Sequence, residues 1–245
     1  MQTSQVDVVI LCAGLGKRLR PLTNSIPKAM VEIAGIPLLG HHLRAVRRAG
    51  FRRVILVVGH LGVRIEEYVG NGERFGLEIH YIHQDPPNGT GGAVLSARGS
   101  IRSDPFVVVY GDVFFHPMDP AWKSLTGSLT PAMLCAEVPD ASQFGRVLIY
   151  KRGDEDVVDR IVEKDGLASA GLVYAGLFVL PNRALDLLSK QGVSPRGEIE
   201  LPPVVEALAS VGEAVRVVVT DRWTDIGTLS ALNFAQGIAS GMETK

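Results

Sequence analysis

The chain has 245 residues, with 25 Lys plus Arg against 26 Asp plus Glu and a formal net charge of −1. Hydrophobic residues make up 46% and charged residues 21%, which excludes intrinsic disorder, a state that needs low hydrophobicity with a large net charge. The balanced charge argues against a dedicated nucleic-acid binder, and no run reaches the roughly 18 apolar residues of a membrane span.

Residues 2–5 are polar and uncharged, with no basic n-region and no cleavage site. No signal peptide is expected, and the chain reads as cytoplasmic. Residues 6–12 form a β-rich apolar run ending at Gly14 and Gly16, as in a parallel strand buried on both faces. Residues 38–49 read as a helix, with Leu39, Leu43 and Val46 at i, i+4, i+7 and Gly50 as its stop. The basic stretch from His41 to Arg53 reads as the solvated face of that amphipathic helix. Residues 54–58 are the next buried strand, followed by a short helix over 63–69 and a turn at 70–72. Residues 77–83 read as strand, 91–98 as helix, and 106–110 as a strand ending at Gly111-Asp112. This alternation implies a parallel sheet with helices on both faces.

The second half is less regular. Residues 132–138, 146–150, 157–163 and 172–180 read as strands with no helix between them, so an antiparallel section is expected. Helices over 184–189 and 204–209, a strand over 215–220 and a helix over 229–238 complete the chain. Cys12 and Cys135 each lie in an apolar run and are expected to be buried free thiols in a reducing compartment. His60, His80, His83 and His116 show no metal-ligand spacing, and Trp122 and Trp223 read as packing residues. The simplest organisation is one α/β domain over 1–245, Rossmann-like, mostly parallel, with an antiparallel excursion.

The segment richest in chemistry is Leu11-Cys12-Ala13-Gly14-Leu15-Gly16-Lys17-Arg18-Leu19-Arg20-Pro21-Leu22-Thr23, followed by Ile26-Pro27-Lys28. Glycines let the backbone approach a ligand and turn N–H groups toward anionic oxygens. A Walker A loop would need Gly where Leu11 stands, and a dinucleotide fingerprint would need Gly where Leu19 stands. From the residues alone this is either a phosphate loop of another type, with Lys17, Arg18, Arg20 and Lys28 supplying the field, or a basic turn.

The pattern Gly14-Leu-Gly16-Lys-Arg18-Leu-Arg-Pro21-Leu-Thr23 with Pro27-Lys28 resembles the signature of the sugar-1-phosphate nucleotidyltransferases, among them glucose-1-phosphate thymidylyltransferases and uridylyltransferases. Further resemblances follow along the chain, at Gln84 with Gly89-Thr90-Gly91-Gly92, Gly111-Asp112, Phe144-Gly145, Glu163-Lys164, Ala175-Gly176, residues 196–200 and residues 223–228. The resemblance implies a GT-A-like fold, with a nucleotide-binding half over about 1–115 and a sugar-binding half over about 116–245. It implies transfer of a nucleoside monophosphate from a nucleoside triphosphate to a sugar 1-phosphate, releasing pyrophosphate. The partners are those two small molecules, with no nucleic acid and no membrane; a homo-oligomer is compatible.

The implied roles make chemical sense. A sugar phosphate, with a second pKa near 6, arrives already deprotonated, so no general base is needed; the work is to gather two polyanions and stabilise the leaving group. By the resemblance, Arg18 holds the departing pyrophosphate, Lys28 neutralises the α-phosphate, and Asp112 and Asp225 share a Mg²⁺ ion, both following predicted apolar strands. Ala13, Gly14, Gly16, Lys17, Gln84, Gly89, Thr90, Gly92 and Gly111 bind the nucleotide. Gly145, Glu163, Lys164, Tyr174 and Gly176 bind the sugar phosphate. A Gln amide matches the N3–H and O4 edge of uracil or thymine, which tilts the base toward UTP or dTTP.

Three positions depart from the family pattern: Cys12 for a small residue, Tyr174 for a polar Asn, and Asp165 for a Pro. The last two leave the sugar open. No β-helix module follows the terminal helix, so acyl transfer is not expected. Other readings on this fold are a cytidylyltransferase or guanylyltransferase acting on phosphocholine or mannose 1-phosphate, or an inactive regulatory subunit. A glycosyltransferase would need Asp-x-Asp, and Asp112-Val113-Phe114 lacks the second Asp.

Overall fold

The computed structural model describes residues 2–116, 120–163, 166 and 168–242. In chain order the elements are β1 (Asp7–Leu11), β2 (Glu32–Ile33), β3 (Ile36–Pro37), α1 (Leu38–Arg48), β4 (Arg53–Val58), α2 (Gly62–Val69), β5 (Glu78–His83), α3 (Thr90–Ser96), β6 (Phe106–Tyr110) and β7 (Val113–Phe115). There follow α4 (Pro120–Gly127), β8 (Ala132–Val138), β9 (Gly145–Arg152), β10 (Glu155–Glu163), β11 (Gly171–Leu180), α5 (Arg183–Lys190), α6 (Pro203–Ser210), β12 (Arg216–Thr220), β13 (Trp223–Asp225) and α7 (Leu229–Met242).

Nine strands make one sheet in the order β5-β4-β1-β6-β11-β8-β12-β10-β9. The first four are parallel, with Val8 between Val54 and Val107. The expected antiparallel section begins at β11, which runs against β6 and β8, while β12 returns parallel to β8. A short ribbon pairs β7 with β13, Asp225 opposite Val113.

Strand period and burial agree closely. Val8, Ile10, Val54, Leu56, Val107 and Val109 face one layer with Leu39, Leu43 and Val46 of α1, Ile65 of α2 and Leu125 of α4. Their alternates Val9, Ile55, Val57, Phe106 and Val108 face the other, with Val94 of α3, Leu188 of α5 and Leu208 of α6. Side chains at i and i+2 share a face, so continuous apolar runs are what a sheet covered on both sides requires. A third cluster lies outside the sheet, where Leu19, Ile33, Phe114 and Ile226 pack on Leu232 and Ala235 of α7. Cys12 and Cys135 are buried and free, and burial pushes the Cys12 thiol up to about 12.

The basic stretch departs from a uniformly solvated helix face at two residues. Arg53 lies in β4, is 9% exposed, and donates to Asp7 at 2.6 Å. His42 falls on the buried side of α1, with its ring edge-on to Phe115 at 5.9 Å. Burial, seconded by the neighbouring His41, lowers the His42 pKa from its ordinary 6.5 to about 4, against a smaller upward pull from Asp112. The unfolded chain therefore takes a proton below pH 6.5 that the folded chain refuses until about pH 4. That contribution to stability is complete above pH 6.5 and is lost as the pH falls toward 4, to the extent of about 3 kcal/mol. In urea unfolding between pH 7 and 4.5, His42→Asn should flatten the acid loss relative to the parent; an unchanged slope would assign the loss elsewhere.

Candidate active site

The chain's route through the sheet fixes where a ligand can sit. From β1 it steps outward to β4 and β5, then crosses back to β6 on the other side of β1. The order reverses between β1 and β6, and in such sheets ligands bind outside the carboxyl ends of the strands flanking that point. The loop after β1 is the glycine-rich segment, and the residues after β6 are Gly111-Asp112. The two loops touch: Gly111 N–H donates to the Leu11 carbonyl at 2.9 Å. A Cβ at Gly111 would stand 2.5 Å from that carbonyl oxygen and 2.9 Å from Cys12 Sγ, so only glycine lets them meet.

Local interactions hold the glycine-rich loop open. Gly16 has φ +61°, the left-handed region that glycine enters freely, and caps a 3₁₀ turn over Lys17–Leu19. The buried Thr23 hydroxyl donates to the Gly16 carbonyl at 2.8 Å, and Leu19 anchors in the third cluster. These contacts leave Lys17 and Arg18 exposed at the rim. Pro27 starts the turn Lys28–Met30 and directs Lys28 inward, where its Nζ lies 2.8 Å from Asp112 Oδ2. The Lys28 side chain is 10% exposed and that of Asp112 42%. Burial in the cleft raises the Asp112 carboxyl, but the Lys28 charge and hydrogen bond, with Arg18 behind them, outweigh it and hold the pKa below the usual range.

These loops line a cavity of about 590 Å³, within the range of small-molecule sites. Ala13, Gly14, Gly16, Lys17, Lys28 and Asp112 line one side of it, together with Gly111. Gln84, Gly89, Thr90 and Tyr174 line the other. Arg18 and Asp225 stand beside it as a pair at 3.9 Å. Asp225 lies within β13 rather than after a longer strand; the β7–β13 ribbon carries it toward Asp112, whose carbonyl accepts from Ile226 N–H at 3.0 Å.

Three predicted residues act on the site through others. Gly92 leaves room for the Asn88 side chain, and its N–H is spent on the Ile199 carbonyl at 3.2 Å. Gly145 makes space for Tyr174 and Glu163, and Tyr174 donates to Glu163 Oε1 at 3.0 Å. Gly176, at φ +78°, lies against the Tyr110 ring. Lys164 lies outside the described residues.

The Gln84 amide is buried, and its Nε2 donates to Asn88 Oδ1 at 2.6 Å and to the Gly89 carbonyl at 3.1 Å. Both amide hydrogens are thus committed within the chain, leaving Oε1 as the acceptor offered to a base.

Several cavity residues had no role assigned from sequence: Tyr110, Arg196, Glu198 and Glu200. The run at 196–200 was visible as a motif, but its place was not. Ile199 pins it to the 88–92 segment, and Arg196 pairs with Glu200 at 2.8 Å on the cavity wall. Tyr110 ends β6 as the last of an apolar run and gave no polar signal.

Comparison with known proteins identifies the family and the fold. The family model described as nucleotidyl transferase matches residues 7–238. The chain belongs to that family. A bifunctional protein GlmU of Methanococcus maripaludis is 34% identical over 91% of this chain and 51% of its own length. A mannose-1-phosphate guanylyltransferase of Mycobacterium tuberculosis is 33% identical over 93% of this chain and 63% of its own. The chain thus spans about half the length of the first of these relatives. A UDP-glucose pyrophosphorylase solved with UDP-glucose superposes with a TM-score of 0.86 at 20% identity, covering 98% of this chain and 99% of that one, a likeness of fold. The family fold matches the α/β sheet that the sequence implied, with helices on both faces and an antiparallel section. Among the described residues, no helix is long and apolar enough to cross a membrane.

Proposed function

We propose that this chain transfers a nucleoside monophosphate from a nucleoside triphosphate to a sugar 1-phosphate, releasing pyrophosphate. The observation that carries the reading is the Lys28–Asp112 contact of 2.8 Å at the floor of a glycine-walled cavity, outside the ends of β1 and β6. Family membership supports the same reaction class.

In this mechanism the chain's own residues assemble charge. The loop from Ala13 to Lys17 receives the triphosphate; Arg18, 65% exposed at the rim, reaches the departing pyrophosphate. Its fixed donor fork suits two phosphate oxygens at once. Lys28, held by Asp112, faces the α-phosphate. Tyr174, Glu163 and Lys164 receive the sugar phosphate, with Gly145 and Gly176 making room. Asp112, in the turn between β6 and β7, and Asp225, in β13, are hard oxygen donors that the β7–β13 ribbon brings near each other, and so fit Mg²⁺, which takes one or two carboxylates with phosphates and water. When bound, the ion would offset charge on the phosphates during transfer.

For the base, UTP or dTTP is the leading reading: Gln84 Oε1 accepts N3–H, both Nε2 hydrogens being engaged within the chain. A guanylyl reading stands second. It is favoured by the Mycobacterium tuberculosis relative and by the committed Nε2, since a lone Oε1 acceptor serves guanine N1–H equally well.

Pyrophosphate release tests these readings across a grid of UTP, dTTP, GTP, CTP and ATP against glucose, N-acetylglucosamine, mannose and galactose 1-phosphates, with Mg²⁺ or with chelator. Release that needs a triphosphate, a sugar phosphate and Mg²⁺ together is expected. Silence in folded protein that binds nucleotide would overturn the transfer reading, and release in chelator would overturn the metal assignment.

A further inference from the structure

The helix face that reads as merely solvated contains a hollow. Arg44, Arg47 and Arg48 of α1, Tyr68 of α2, and Arg74 with Phe75 from the turn before β5 line an open hollow of about 350 Å³. It shares no lining residue with the catalytic cleft. We propose that it binds a small anion bearing two or more phosphate groups.

Four guanidinium groups converge there on a chain whose net charge is only −1. Among the described residues, none of the four has a carboxylate within ion-pair distance, whereas Arg53, Arg98 and Arg196 each hold one at 2.6 to 2.8 Å. Helical spacing of i, i+3, i+4 puts Arg44, Arg47 and Arg48 on one face. Arg74 is already oriented: its guanidinium lies 4.1 Å from the Tyr68 ring centroid and 4.7 Å from that of Phe75. Stacking on the rings leaves the donor edge of the fork free for an anion. Arg47 is held along Gly76, where a Cβ would stand 2.8 Å from its Nε.

The chemistry selects phosphate. A phosphate monoester carries about −1.5 to −2 charges and takes guanidinium groups bidentately, so two phosphates match four arginines. A single carboxylate would leave most of that charge unopposed. The cavity lies at the lower end of the volume range for small-molecule sites. Six lining residues fall short of the roughly 600 Å² footprint of even a small DNA-binding module.

The test is an NMR titration of the full chain with inorganic tripolyphosphate at a fixed ionic strength of about 0.15 M. The arginine Nε–H signals report this hollow, and the Gly16 and Gly111 amides report the cleft separately. Saturable shifts at Arg44, Arg47, Arg48 and Arg74 are expected. The double variant Arg44→Gln/Arg48→Gln, two exposed positions, should weaken that binding about tenfold or more and leave the cleft titration unchanged. Shifts that never saturate would mean an ion atmosphere only and overturn the proposal, as would unaltered affinity in the double variant. Saturation by a short DNA duplex at lower concentration than tripolyphosphate would assign the surface to nucleic acid instead. The separate cleft signals keep this result independent of whether the transfer reaction is found.

Discussion

Lys28→Met should lower the turnover number for pyrophosphate release by about a thousandfold. A cation some 4 Å from one phosphate charge is worth about 4 kcal/mol at an effective dielectric of 20, and each 1.36 kcal/mol is a factor of ten in rate. Lys28 is the cation whose position is most tightly set, by burial and by its 2.8 Å contact with Asp112. Met fills the same buried stem without charge. Asp112 keeps contact with water through its 42% exposed side chain, so the fold should lose only about 1 kcal/mol. Steady-state kinetics beside a thermal melt separate the two effects. A loss of turnover under tenfold in well-folded protein would remove Lys28 from the reaction.

The second large effect falls at the start of β1, the end away from the cleft, and on stability alone. Asp7 begins β1 with a side chain only 3% exposed. Its Oδ1 accepts from Arg53 at 2.6 Å, and its Oδ2 accepts the backbone N–H groups of Arg102, at 2.5 Å, and of Ser103, at 3.0 Å. Arg53 in turn donates to the Ser100 carbonyl at 2.9 Å. The cluster joins β1 and β4 to the turn that leads into β6. Asp7→Asn leaves the buried guanidinium only the exposed Glu78 carboxylate, 3.6 Å from its Nε, as counter-charge, a loss of about 3 kcal/mol against a typical total of about 5 to 15. The urea midpoint should fall with little change in slope. Because Asp7 lies about 13 Å along the strand from Leu11, kcat/KM of the folded variant should match the parent; a drop in both would mean that the cluster also shapes the cleft.

The parallel half was legible because burial on both faces leaves an unbroken apolar run, as in Phe106–Tyr110. What escaped is short or depends on remote pairing. Val113–Phe115 and Trp223–Asp225 have three residues each, too few for a period, and exist as strands only through each other. In α4 the inward pair Trp122 and Leu125 is a single i, i+3 step before Gly127, which falls short of a helical pattern. Arg53 reads as one more solvated cation because nothing nearby in sequence announces Asp7, 46 residues earlier. The residues lining the cleft were recognisable as motifs, but the contact of Lys28 with Asp112, 84 positions apart, belongs to the folded chain alone. The same holds for Gln84, whose amide was legible as a base reader, while its engagement with Asn88 was not.

The β7–β13 ribbon also sets a timetable for synthesis. Loop, lysine and first carboxylate all precede residue 113, whereas the second carboxylate comes 113 residues after Asp112. At about 5 to 20 residues per second, roughly 6 to 23 s separate their emergence from the ribosome. The rest of the cavity wall, Tyr174 and the stretch from Arg196 to Pro202, is made in between, and its last residue precedes the second carboxylate by only 23 positions. On the proposed reading, competence waits on one of the last strands made, and a chain halted just before it would have the cavity lining without the second carboxylate.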